Sequence, residues 1–490
     1  MDFTALMSQL LRSGLGNLAA YLAAHVLLCL LPAFYLAGAM TALIPKETVT
    51  RFLGRTTPKF ISYPAAALAG SVLAVCSCTI VPLFAGIYRK GAGLGPAITF
   101  LFFAPAANLL ALAYTGVAIG PDLAFARLSL SLAFGIGIGV IMALIFQRGD
   151  VAHDQSTDTL FAGRGTLSRV LLAFVLVLVA LLMAGTFRLD WLTSAYAQLT
   201  LPIPAMDRLQ AWLTQLVPFD AARGEEGVTV QGMLLIGLLT LIGLTAWFGL
   251  EGVLEGINRW AQASLALTAL TLLVAAVGLK PHAGGLDVLV TGRSFAVALA
   301  LVALVWLARC LDDYAVKEWL WESWRFVKQI FPLLVVGVFV VGVARPLIRP
   351  EWIEALAGQN TVPGNLAGVA FGVFMYFPTL VEVPIANLFL SLGMHRGPLL
   401  AYLMADPELS LQSILIISAI IGWVRAWTYV GWVALFSLTA GLIYGAWVDG
   451  VNAWMLATIL FAALGVLAAA LYWANKRNGH PLKTRAASSH

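Results

Sequence analysis

Residues 81–105 read VPLFAGIYRKGAGLGPAITFLFFAP, and residues 383–407 read VPIANLFLSLGMHRGPLLAYLMADP. At a shift of 302 positions the two stretches align without a gap. Seven of the 25 positions are identical: Val81/Val383, Pro82/Pro384, Gly91/Gly393, Gly95/Gly397, Pro96/Pro398, Leu101/Leu403 and Pro105/Pro407. Three prolines and two glycines keep register, which apolar composition alone rarely produces. At the same shift Gly70 meets Gly372 and Ser77 meets Thr379, and Pro32 and Pro332 stand near the start of each half. The chain therefore reads as an internal duplication with one plan. An apolar helix (18–43; 326–343) leads to a short amphipathic piece (46–53; 351–357). An apolar stretch follows, interrupted by a proline motif at 76–82 or 377–384. After a glycine-bounded turn, a second stretch breaks again at 104–108 or 406–410.

Outward from the repeat, composition sets the class. Hydrophobic residues make up 61% of the chain and charged residues 11%, against about 25% charged in a soluble domain. Apolar runs at 18–43, 124–146, 170–185, 232–249, 326–343 and 453–473 approach or exceed the roughly 20 residues that a helix needs to cross hydrocarbon. None alternates with period two over strand-like lengths, which argues against a barrel. The expected class is an all-α integral membrane protein. The first run is longer than a signal-peptide core and lacks a small-residue cleavage site, so it reads as a retained helix. Three of the four cysteines, Cys29, Cys76, Cys78 and Cys310, lie in apolar sequence and do not form a secreted disulfide framework. The net charge of +5 does not point to nucleic acid, because the basic residues cluster between apolar runs, as the positive-inside rule requires. The partners expected are the lipid bilayer and a small solute; the oligomeric state is not legible.

Proline removes a helix N–H and clashes with the preceding turn. Broken backbone at membrane depth is tolerated where it is buried in protein or lines a wet cavity. Paired breaks in two repeats point to a transport site. If residues 61–88 and 365–392 enter and leave on one side, Lys46, Lys59, Lys90, Lys317, Lys328, Lys476 and Lys483 fall inside and only Lys280 outside. That arrangement has about eleven transmembrane helices plus two re-entrant broken-helix hairpins in inverted repeats, with an outside N-terminus and an inside C-terminus. The expected organisation is a first repeat at 1–147 and a cytoplasmic linker at 148–169. Middle helices at 170–311 carry a long external loop at 188–230 with a surface helix. A second repeat spans 312–474, and a disordered basic tail closes the chain at 475–490.

The candidate site residues gather at the breaks. Cys76 and Cys78 form a Cys-x-Cys pair, and thiolates suit soft metals and metalloids; free cysteine also packs as a small hydrophobe, and both readings stay open. Ser77, Thr79, Thr379, Asn108 and Ser410 offer polar groups that either coordinate a solute or re-satisfy interrupted backbone. Pro82 and Pro384 make the breaks. Glu382, Asp406 and Glu408 replace Ile80, Ala104 and Ala106 of the first half. A carboxyl in hydrocarbon is a functional hypothesis by default, and proton coupling is the role expected; the alternative for Asp406 and Glu408 is a solvated helix end. Glu251 and Glu255, four apart, read as one face of an interfacial helix, and Arg345, Arg349 and Arg425 as interfacial anchors. Walker A, dinucleotide-glycine and nucleophile-elbow patterns are absent, so no cofactor, ATP drive or enzymatic activity is expected.

The motif at 76–86 (CSCTIVPLFAG), with Gly91, Gly95-Pro96 and 104–108 (APAAN), resembles the signature of the bacterial predicted-permease family that includes the organoarsenical efflux permeases. Residues 378–385 (PTLVEVPI), with Gly393, Gly397-Pro398 and Asp406-Pro407, resemble that family's second motif. The motifs cover about a fifth of the chain and are more specific for family than for substrate. The resemblance implies a secondary permease of the cytoplasmic (inner) membrane, with Cys76 and Cys78 as candidate ligands of a trivalent arsenical. The chain departs from the pattern in its added 188–311 region and in having no third thiol beside Cys76. The function expected is a secondary permease for a small solute, such as a soft metalloid, metal or sulfur compound, acting in efflux. A membrane thiol oxidoreductase using Cys76/Cys78, or a passive channel, is the alternative.

Overall fold

The computed structural model describes residues 3–23, 26–55, 57–72, 77–147, 149–150, 168–187, 189–203, 205–217, 227–282, 285–344, 350–374, 382–452, 454–456, 458 and 465. Cys76, Thr379, Arg345, Arg349, the tail at 475–490 and most of the linker at 148–169 and of the run at 453–473 lie outside these residues.

The first half comprises α1 (Phe3–Ala23), α2 (Val26–Ala42), α3 (Lys46–Leu53), α4 (Lys59–Val72), α5 (Ser77–Arg89), α6 (Leu94–Ala106), α7 (Leu109–Ala118) and α8 (Pro121–Ile145). The middle holds α9 (Arg169–Thr186), α10 (Asp190–Thr193), β1 (Ala195–Leu201), α11 (Met206–Leu216), α12 (Val230–Leu250), α13 (Arg259–Ala276), β2 (Gly278–His282), β3 (Gly285–Thr291) and α14 (Gly292–Ala308). The last part is α15 (Asp313–Ala344), α16 (Pro350–Ala357), α17 (Val362–Phe374), α18 (Glu382–Ser391), α19 (Arg396–Leu409), α20 (Leu411–Ile421) and α21 (Trp423–Val448). Among the described residues, six helical segments are long and apolar enough to cross a membrane, or up to seven if α19 and α20, bent by 46°, count as one span. Shorter apolar helices cover Leu30–Ala42, Arg169–Gly185, Gly292–Ala308 and Val362–Phe374. This is a multi-pass membrane protein.

The same 302-residue offset recurs in the backbone. α7 starts at Leu109 and α20 at Leu411; α8 follows Gly120 and α21 follows Gly422. Gly91 (φ 89°) and Gly393 (φ 87°) take the left-handed conformation that favours glycine, and each turns the chain into the next helix. Two residues later the Gly93 N–H donates to the Leu53 carbonyl at 2.8 Å, and the His395 N–H to the Ala357 carbonyl at 2.9 Å. In each half, therefore, the chain that departs into α4 or α17 comes back at the end of α5 or α18 to the place it left. α6 packs on α4 and α8, and α19 packs on α17 and α21. Both crossings are close because glycine lines them. A Cβ on Gly139 would stand 2.7 Å from the Gly95 carbonyl oxygen, and one on Gly441 would stand 2.7 Å from that of Gly397.

At 1.5 Å per residue, the 25 residues of α8 make a rod about 37 Å long. Its C-terminal end lies with the first return point, where the Leu94 N–H donates to Asp150 Oδ1 at 3.1 Å. Its N-terminal end lies with the second, where Arg396 Nη1 donates to Asp122 Oδ2 at 2.7 Å. α21 reciprocates: Arg425 Nη1 donates to Tyr88 Oη at 3.0 Å near the first return point, and Asp449 Oδ1 lies 3.0 Å from His395 Nε2 at the second. The two return points sit at opposite ends of α8.

Several expectations are corrected. The run at 18–43 is not one helix: α1 and α2 are separate, both packed along α15. The α1 contacts are made by Ser13 and Asn17, whose side chains donate to the carbonyls of Gly342 and Val338; the α2 contact is the Tyr35 carbonyl, which accepts from Trp319 Nε1. The basic stretch before residue 326 is helical from Asp313, because Trp319, Leu320, Ser323 and Trp324 give it a buried face. Glu251 and Glu255 lie in turns, not on a helix. Glu251 instead accepts hydrogen bonds from Trp324 Nε1 and Lys328 Nζ, which hold its carboxyl below the ordinary range. Arg425, expected as an interfacial anchor, points its guanidinium at Tyr88 and the Phe146 ring. The fold is not wholly helical either, for β1, β3 and β2 form an antiparallel sheet in that order. Its strands stand at the ends of α10 and α13 and the start of α14, where β-branched residues such as Val288 and Val290 suit an extended chain. The 188–230 region holds β1 and α11, and α11 packs through Leu213 against Val228 and Val230.

Candidate functional site

Asn108 stands where α6 ends and α7 begins. Its Oδ1 accepts from the Ala111 N–H at 2.8 Å, capping α7, while its Nδ2 donates to the carbonyls of Ala104 and Pro105 at 3.1 and 3.3 Å. One side chain thus serves groups on both sides of the break, as buried backbone in a membrane requires. Ser410, at the matching place between α19 and α20, donates to Ser413 Oγ at 2.7 Å and is buried.

The break at Asn108 leaves the Ala106 carbonyl free of its helix. Arg127 on α8 takes it, with Nε donating to the Ala106 oxygen at 2.8 Å and Nη1 donating to Thr115 Oγ1 of α7 at 3.3 Å. Arg127 Nη2 then lies 2.7 Å from Glu382 Oε1, and both side chains are 0% exposed. Glu382 lies in the first described turn of α18. One partner comes from each half. Around the pair α18 packs on α7, α5 on α20 and α6 on α19.

The other candidates divide. Thr79 is buried in the first turn of α5, and Pro82 lies inside the same helix. Pro384 falls in the first turn of α18, where a missing N–H costs no helix bond. Ser77 and Cys78 open α5, but their side chains, like all of Cys76 and Thr379, lie outside the described residues. Asp406 and Glu408 are not on a solvated helix end: they are 0% and 2% exposed. Glu408 accepts from Tyr429 Oη of α21, and its other oxygen has no hydrogen-bond partner among the described residues. Those residues hold no group of three or more His, Cys, Asp or Glu that could bind a metal ion.

Arg127, Thr115, Tyr429 and Gln412 escaped the sequence reading. Gln412 is 1% exposed, with neither side-chain polar atom hydrogen-bonded among the described residues. Arg127 had a signal, since a lone cation inside the apolar run 124–146 is expensive and marks function. Tyr429 is Arg127 shifted by 302, and both reach the same place in their half: Arg127 the Ala106 carbonyl, Tyr429 the Glu408 side chain.

Comparison with known proteins agrees with this architecture. A family model described as a predicted permease matches residues 13–446. The UPF0718 protein MJ0584 of Methanocaldococcus jannaschii is 31% identical over 446 residues, covering 91% of this chain and 98% of its own. The UPF0718 protein YcgR of Bacillus subtilis is 29% identical over 27% of this chain and 45% of its own. The UPF0718 protein YraQ of Escherichia coli is 29% identical over 21% of this chain and 29% of its own. No solved structure matches. With duplicated broken helices, a buried charge pair between the halves and a family match over nearly the whole length, the chain belongs to the predicted-permease family, a family of membrane transporters.

Proposed function

We propose that the protein is a secondary permease that moves a small solute out across the cytoplasmic membrane, through the region where its two halves meet. The observation that carries this reading is the Arg127–Glu382 pair: wholly buried, one partner from each half, and set beside the break that ends α6. A charge pair so placed is costly to keep, and intramembrane charges of this kind mark solute and ion pathways. The return points at opposite ends of α8 support inverted repeats, with re-entrant hairpins α4–α5 and α17–α18 entering from opposite faces. Rocking of one half against the other around the pair would then alternate access. The eleven-span topology fits the lysine distribution. Cys76 and Cys78, just before Thr79, keep soft metalloids, metals and sulfur compounds among the solutes. Glu382, Asp406 and Glu408 are the groups that would carry protons.

Flux in vesicles tests the reading across metalloids, soft anions and sulfur compounds. Wild type should move at least one member of the panel saturably, and Glu382→Gln should reduce that flux at least about tenfold, the loss of about 1.4 kcal/mol in a limiting step. The joint replacement Cys76→Ser/Cys78→Ser should reduce it if the thiols bind the solute. Flux of the true solute unchanged in all variants would sink the site.

A further inference from the structure

The geometry points to Arg127 as an anion-binding residue whose resident occupant is the Glu382 carboxylate, so that the solute is a small monoanion that displaces Glu382 and travels with one proton. This deepens the permease reading and rests on it.

The placement of Arg127 does not depend on Glu382. A guanidinium has five N–H donors. Nε is held by the Ala106 carbonyl and Nη1 by Thr115 Oγ1, both from the first half. Nη2 faces Glu382, 2.7 Å from Oε1. Neither Glu382 oxygen, nor Arg127 Nη2, makes a hydrogen bond among the described residues. Arg–carboxylate pairs reach full strength when both oxygens bind the guanidinium fork. A tethered carboxylate held by charge contact without an aligned hydrogen bond is therefore a weak occupant of a strong and pre-positioned site.

The duplication supplies an internal control. The positions equivalent to Arg127 and Glu382 are Tyr429 and Ile80. The same arrangement of helices is thus built in the other half without an ion pair at these two positions, Tyr429 bonding the Glu408 carboxyl instead. Buried ion pairs are commonly no better for stability than apolar replacements, so the retention of this pair in one half alone calls for a role beyond packing.

Charge balance then fixes the stoichiometry. With Glu382 in place the pair is neutral. When a monoanion takes the guanidinium, a displaced ionised Glu382 would be a bare charge in a buried site, which is heavily disfavoured. Glu382 therefore binds a proton on a carboxylate oxygen as it leaves, and the site, now holding cation, solute anion and neutral acid, is again neutral. Release of the anion lets Glu382 return to Arg127 and give the proton up. One anion and one proton move together, with no net charge. The titratable or charged groups on the helices packed against α18 are Tyr114 on α7 and Arg396, Tyr402, Asp406 and Glu408 on α19; Arg127 comes from α8. Arg396 is occupied by Asp122 and Glu408 by Tyr429.

The test is thermal unfolding of the purified full chain with sodium formate, nitrate or methanesulfonate. Ionic strength is matched with the sodium salt of a bulky buffer anion. Glu382→Gln vacates Arg127 and should show a saturable rise in melting temperature of a few degrees with the small anions. Wild type should show the same rise at about tenfold higher concentration, because Glu382 competes and only the vacated fraction binds. The double variant Arg127→Gln/Glu382→Gln should show none. Equal responses of Glu382→Gln and the double variant would overturn the inference. Should Glu382→Gln not fold, Glu382→Asp, with its shorter reach, stands in for it and should respond between the two. Solute flux that survives Arg127→Gln would overturn this inference and leave the permease reading intact. Arg127-dependent stabilisation by anions in a protein that carries no solute would support the anion site and overturn both the permease reading and the coupled movement of anion and proton that rests on it.

Discussion

Asn108 and Ser410 occupy one position in two copies of the same break and do different amounts of work. Asn108 caps α7 and also satisfies two carbonyls of α6, whereas among the described residues Ser410 reaches only Ser413. Asn108→Ala should lower stability by roughly 1–2 kcal/mol, the loss of a cap plus an unsatisfied buried carbonyl. Ser410→Ala should cost less, and chemical unfolding in mild detergent compares them; equal losses would contradict this division. The roles of these residues were legible only as a choice between binding solute and mending backbone, because either needs the same polar atoms. Geometry favours mending at Asn108. Glu382 was legible as an unusual carboxyl at a hairpin tip, but its partner was not. Arg127 lies 255 residues earlier in the chain, and no local pattern joins two residues brought together by the packing of separate halves.

At the scale of elements, proline and glycine carried most of what could be read. The breaks, the short amphipathic helices and the left-handed turns at Gly91 and Gly393 follow from residue types whose backbone limits are local. The helix crossings follow from small residues too. A side chain on Gly139 would meet the Gly95 carbonyl and Thr99, and one on Gly441 would meet the Gly397 carbonyl and Asn365. Gly139→Val and Gly441→Val should each destabilise by about 1–3 kcal/mol, the usual cost of overpacking. Gly237→Val should not, because nothing lies within 4 Å of a Cβ there; parallel melting curves check the contrast. The small sheet was not legible. Residues 278–282 and 285–291 are short segments, and the outer partner β1 lies beyond α11 to α13 in the chain, so its pairing with β3 appears only when those helices bring the ends together. The division of the first run into α1 and α2 was hidden for a related reason, since a single polar residue, His25, is all that interrupts the apolar sequence between them.

For the whole molecule, the proposal is of two copies of one unit set in opposite senses and joined by a charge pair. The duplication was visible in seven aligned identities. In the sequence, the opposite sense rested on the placement of lysines alone; the contacts at the two ends of α8 and α21 are the structural reason for proposing it. The most direct test is labelling by a membrane-impermeant maleimide in sealed vesicles of both orientations. Single cysteines would replace Lys59, at the base of α4–α5, and Gln359, at the base of α17–α18, both exposed, in a chain whose native cysteines are replaced by serine. Opposed hairpins predict that the two sites label from opposite sides of the membrane. Labelling of both from the same side would contradict the inverted arrangement and, with it, the meeting of the two halves at Arg127 and Glu382 as the point of alternating access.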